Sequence, residues 1–195
     1  MPDKLANGQP LSIMCGFNGT NHWDYTMDAS TRAFTVIDYS HHEVHAGSHF
    51  IYLDAVTLND TQTQVYLITT PNTTKWAHML FAMDGSAITQ FDLYEGADRL
   101  GTTAQTAGNS NRNSSTVATT TIHKDVSGGT TDGTLISRYK GGSSTKQSIG
   151  STGTRSEEEI ILKQNTKYLF RITSGSDGNL CNVRFVWYEH TDKTT

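Results

Sequence analysis

Apolar residues recur at every second position in short segments of this chain, and turn-forming residues separate the segments. Tyr168, Phe170 and Ile172 alternate with Leu169, Arg171 and Thr173, and Val183, Phe185 and Trp187 alternate with Arg184, Val186 and Tyr188. A period of two is the pattern of strands, because successive side chains point to opposite faces. The run 75-KWAHMLFAM-83 is apolar on both faces, meets Asp84-Gly85 and returns through 86-SAITQFDLYEG-96, which predicts a central hairpin. Its large side chains, Trp76, Leu80, Phe81, Met83, Ile88, Phe91 and Leu93, are the expected core. The remaining segments bring the expected total to about eight to ten strands and no helix. In a 195-residue chain, this predicts an all-β fold: one antiparallel β-sandwich or jelly roll spanning residues 31–195.

Residues 1–30 have a different texture. Asn7-Gly8, Pro10 and Asn18-Gly19 surround one short apolar run, which predicts a mostly extended N-terminal arm able to order on a neighbouring subunit. A first short strand is expected over Arg32 to Asp38, and two long polar loops over 97–113 and 141–158. The net charge of -4 argues against the basic field of a nucleic-acid binder. No run approaches the length of a membrane span, and the first ten residues lack the apolar core of a secretory signal, so a soluble protein is expected. Cys15 and Cys181 are too few for a disulfide framework and read as buried or incidental thiols.

Half of the eight histidines fall in 41-HHEVHAGSHF-50. This stretch leads directly into the β-branched and aromatic run that starts at Phe50, and Gly47 lies inside it, so a strand is expected here. On a strand His41, Glu43 and His45 share one face but are strung out along it, too divergent for shared metal ligation. The order His41-His42-Glu43-Val44-His45 also departs from the zinc-protease motif. His41, Glu43 and His45 are therefore expected in a strand or subunit hydrogen-bond ladder, sensitive to acid, with no metal and no cofactor. Asp92, Glu95, Glu157, Glu158 and Glu159 could serve a glycosidase, but nothing in the sequence places two of them across a cleft. No nucleophile or phosphate-binding motif is present, and a non-enzymatic protein is expected. Trp23, Tyr25, Tyr39 and Tyr94 are candidate stacking residues for a sugar, with Trp23 and Tyr25 better placed as subunit anchors.

The segments 41-HHEVHAGSHF-50, 71-PNTTKWAHMLF-81, 93-LYEG-96, 138-RYKGG-142, 159-EIILKQNTKYLFRITS-174 and 187-WYEH-190 together resemble a group of small structural proteins of tailed bacteriophages. The resemblance spans roughly residues 40–190. It implies a virion protein, namely a capsid decoration or cement protein, assembled in the host cytoplasm and sited on the capsid surface. It further implies a homotrimer bound to the major capsid protein, with no nucleic-acid or membrane partner. A tail or fibre module that binds host surface glycan is the competing expectation. The family supplies no catalytic residues. The capsid and subunit contacts assigned to Trp23, Tyr25, His41, Glu43 and His45 come from their own chemistry.

Overall fold

The computed structural model describes residues 38–143 and 159–191, together with the backbone of three further strands. Two compact units partition the chain at Tyr39/Ser40. In the first, β1 (Cys15–Phe17) pairs antiparallel with β2 (His22–Asp24). The strand expected over residues 32–37 lies outside the described residues.

The second unit begins with α1 (Tyr39–Ala46), followed by β3 (His49–Leu58), β4 (Thr63–Thr69), β5 (Lys75–Gly85) and β6 (Thr89–Glu95). Two strands follow that the polar sequence did not announce, β7 (Leu100–Gln105) and β8 (Gly108–Asn109), and then β9 (Thr121–Ser127), where the alternation of Thr116 to His123 points to a strand. The chain continues through β10 (Thr134–Gly141), β11 (Ile149–Ser151), β12 (Ile160–Leu162), β13 (Lys167–Ser174) and β14 (Asn179–Thr191).

Two antiparallel sheets pack face to face. The first has the order β10-β6-β13-β4-β9-β7, and the second the order β11-β5-β14-β3-β8, with β12 also on β5. Beneath this order lies a nest of four pairs: β3 with β14, β4 with β13, β5 with β12, and β6 with β10. Strands β3 to β6 alternate between the two sheets, and the return strands retrace that path. This is the jelly-roll arrangement. Strands β7, β8 and β9 are an insertion between β6 and β10 that widens both sheets at the same side.

The expected hairpin at Asp84-Gly85 is therefore corrected. The chain does reverse there, but β5 joins the second sheet and β6 the first, so the turn bridges layers. The turn at Ser176-Asp177-Gly178 likewise passes from one sheet to the other between β13 and β14 and does not close a hairpin. Of the expected core, Phe91 and Leu93 are buried and Phe81 and Met83 pack against the core while staying half-buried, but Trp76 is exposed because it lies on an outer face. The core is aromatic. Phe185 is fully buried with its ring 5.1 Å from Phe170, 5.4 Å from Phe81 and 5.7 Å from Tyr66, mostly edge to face. Cys181 is a buried free thiol, and that burial pushes its pKa up.

At the end of the core the carboxylate of Glu189 accepts hydrogen bonds from the backbone N–H groups of Thr119 and Thr120, the Thr119 hydroxyl and the Trp187 indole. It ties the second sheet to the segment that leads into β9 of the first. Burial works to raise its pKa, but the Thr119 and Thr120 bonds outweigh burial and hold it below the ordinary glutamate value.

Candidate functional site

Strand β10 forms one end of the first sheet, so among the described residues its outward edge lacks a strand partner. A register shift between Leu135 and Ser137 bulges out Ile136. Leu135, Ile136 and Tyr139 are all exposed on this strand. Behind it, a cavity of about 470 Å³ opens between the sheets, lined by Phe81, Met83, Phe91, Leu93, Phe170 and Ile160, with Tyr139 and Ile136 at the β10 side. The half-burial of Phe81 and Met83 follows: they face this space instead of a filled core.

The outer face of the same sheet is polar and built around three arginines. Arg138 lies opposite Asp92 in the β10–β6 register, and its Nε and Nη2 donate to the two carboxylate oxygens at 2.6 and 3.2 Å. Gln90 also donates to Asp92, at 2.9 Å. Burial favours the neutral acid, yet the Arg138 and Gln90 bonds prevail and hold the Asp92 pKa below its usual range. Asp132 takes Arg99 at 2.8 Å and Arg171 on its other oxygen. Its pKa is lowered too, with burial again overcome by Arg171 and Arg99. The Arg171 guanidinium lies 5.1 Å over the Tyr94 ring, which covers one face of that ring with a cation. These residues line a shallow groove with Thr63, Val65 and Thr173. Its wall is the pair of connections at 96–99 and 128–133, anchored by Ala97, which is buried with Leu67 and Leu169 in a second small core. Chemically, three guanidiniums face the carboxylates of Asp92 and Asp132, with Asp98 on the wall beside Arg99, so the groove is densely charged with the two signs paired.

Sequence reasoning missed this groove. Arg171 was visible on the polar face of its strand, but Asp132 lies 39 residues away from it, and no local pattern joins them.

The histidine stretch corrects the expected strand. Residues Tyr39–Ala46 are helical, and Gly47 is the reason. With φ of +74°, Gly47 donates its N–H to the Val44 carbonyl at 3.1 Å, while the Ser48 N–H reaches the Glu43 carbonyl at 3.0 Å. That pair of bonds is a Schellman cap with glycine in the left-handed position. A Cβ at Gly47 would stand 2.4 Å from the Ser114 hydroxyl, which excludes larger residues. Asn109 and Asn111 donate to the carbonyls of Gly47 and His45, fastening the helix end to β8 and the loop after it.

On the helix His41 and His45 are four apart and meet, Nε2 to Nε2, at 3.0 Å with rings nearly perpendicular. The argument that their rings diverge is thus overturned. Glu43 does not join them: it is buried, and its carboxylate accepts the Ser48 hydroxyl. Trp23 lies in β2 opposite Gly16. Tyr25, Glu157 and Glu158 lie outside the described residues. Asp92 and Glu95 are held by arginine and by Lys163 with Tyr168 respectively, and Glu159 by His78 and Tyr188. Among the described residues, no three or more His, Cys, Asp or Glu side chains gather around one point as a metal cage would require.

No protein-family model, curated protein or solved structure matches the chain.

Proposed function

We propose that this chain is a structural protein of a tailed-bacteriophage particle, a decoration protein that binds the outside of the major capsid shell as a homotrimer and stabilises it. The observation that supports this reading best is the β10 edge. An edge strand whose outward side has no partner among the described residues, and which carries Leu135, Ile136 and Tyr139, is a surface that natural proteins cover by assembly. Pairing between copies along β10 would satisfy its backbone groups and bury those three side chains, and many copies on a shell would turn weak contacts into avidity. Jelly rolls occur in capsid and lectin domains alike, so the fold supports the class without choosing within it. Trp23 and Tyr25 are the proposed shell anchors, in the segment before the jelly roll.

Electron cryomicroscopy of intact particles tests the reading: the protein is expected at regular positions on the shell, and density confined to the tail overturns it. Deleting residues 1–30 is expected to leave a folded domain whose capsid occupancy falls by about tenfold or more, the loss of two aromatic anchors. Undiminished occupancy removes the anchoring role of that segment.

A second reading rests on the arginine groove. Its planar guanidinium donors suit an acidic oligosaccharide, as a receptor-binding module of a tail or fibre would hold. On a glycan array the decoration reading expects no saturable binding. Saturable binding of an acidic glycan that Arg171→Ala eliminates favours the receptor-binding module instead.

A further inference from the structure

We infer that His78 and His190 form a binding site for a divalent transition-metal ion, of which Zn²⁺ is the probe of choice, on the outer face of the second sheet. His78 on β5 lies opposite Tyr188 on β14, and His190 follows two residues later, so all three side chains share that face. Glu159 enters from the residue just before β12, which pairs with β5 at the same level.

The hydrogen bonds define the nitrogen that each ring turns outward. His78 Nδ1 is 2.9 Å from the Glu159 carboxylate, and His190 Nδ1 is 2.9 Å from the Thr191 carbonyl oxygen. A carboxylate and a carbonyl only accept, so both Nδ1 atoms carry the hydrogen. In a neutral imidazole the other nitrogen is then a bare lone pair. The two Nε2 atoms face each other at 2.8 Å. Two lone pairs at that distance repel unless a positive charge lies between them, either a proton or a metal ion.

The surroundings favour the metal. Histidine ligands are oriented by a carboxylate or a backbone carbonyl on the far nitrogen, and here one ring has each. Tyr188 adds to this support: its hydroxyl donates to Glu159 at 2.9 Å and lies 3.1 Å from His78 Nδ1, and its ring stacks on His78 at 4.7 Å. His78 and Glu159 are only 13% and 15% exposed, so the His78 ring is held in place. Zinc–nitrogen bonds of about 2.0–2.1 Å at a tetrahedral angle place two ligand nitrogens about 3.3 Å apart, an opening of about half an ångström from the present separation. Imidazole pairs select zinc, copper or nickel over magnesium and calcium.

The test is calorimetric titration of the full chain with Zn²⁺ near pH 8, above the ordinary histidine pKa of about 6.5. One equivalent is expected to bind. His190→Ala and His78→Ala should each abolish that binding, and Glu159→Gln should weaken it about tenfold by releasing the ring it orients. The double variant His41→Ala/His45→Ala, which removes the exposed helix pair, should bind as the unmodified protein does. Melting curves in chelator separate lost ligation from lost folding. Electron paramagnetic resonance of the unmodified protein with Cu²⁺ should show two nitrogen ligands, independently of any substitution. Absence of zinc uptake, or uptake that survives His190→Ala and disappears in the helix double variant, overturns the proposal.

Discussion

Replacing Glu189 with alanine is expected to lower the free energy of unfolding by about 3 kcal/mol or more, read from urea denaturation at neutral pH. Glu189 is 3% exposed, and its removal strands the Thr120 N–H and the Trp187 indole N–H inside the protein and the Thr119 N–H in a part-buried position. Each buried donor left unsatisfied costs about 1–3 kcal/mol. A sign follows for pH. The folded-state pKa of Glu189 is depressed, so its stabilising contribution is fully present above the unfolded-state value of about 4.3 and is lost as pH falls through the folded value. Asp92 and Asp132 are depressed as well and act in the same direction. The informative quantity is therefore the difference between the unmodified protein and Glu189→Ala, which should shrink on acidification below pH ~4. A gap that stays constant down to strong acid would show that the carboxylate's charge plays no part.

Phe185→Ala is expected to cost about 3–5 kcal/mol, at the upper end for a buried aromatic. Its ring is the point where the two sheets meet, touching Phe170 of the first sheet and Phe81 of its own. The vacated volume lies beside the inter-sheet cavity through Phe81 and Phe170, which already line it. Neighbours that face an existing space have less to collapse onto, so relaxation should recover little. The denaturation midpoint should fall with an unchanged slope. A loss under about 1.5 kcal/mol would mean that the sheets close over the gap.

The fold class was legible because the period-two pattern of β13 and β14 survives in the sequence: Tyr168, Phe170, Ile172, Phe185 and Trp187 all face the core. Pairing was not legible. Asp84-Gly85 marks a reversal of direction, but a turn cannot tell whether its two arms lie in one sheet or pass between two. Strands β7 and β8 escaped detection because Leu100–Gln105 and Gly108–Asn109 sit at sheet edges, where little burial is required and Gly, Thr and Asn suffice. The helix was missed for a local reason. Gly47 was read as an interruption within a strand, whereas its left-handed conformation ends a helix. With that glycine taken as a cap, the spacing of His41 and His45 would have implied two rings on one face. The pairs His78–His190 and Arg171–Asp132 join residues 112 and 39 positions apart, a separation bridged only in the folded structure.

The nested pairing also sets a timetable. β13 and β14, the latest strands of the jelly roll in chain order, occupy central positions in their sheets: β13 between β6 and β4, and β14 between β5 and β3. Trp187 must reach Phe50, a partner synthesised 137 residues earlier, before either side of that ladder is satisfied. During synthesis on the ribosome β3, β4, β5 and β6 therefore wait with open edges for the strands that separate and join them. The jelly roll closes only after translation of its C-terminal strands: a nascent chain halted before β13 lacks the central strand of each sheet, so that β10-β6 stays apart from β4-β9-β7, and β5 from β3.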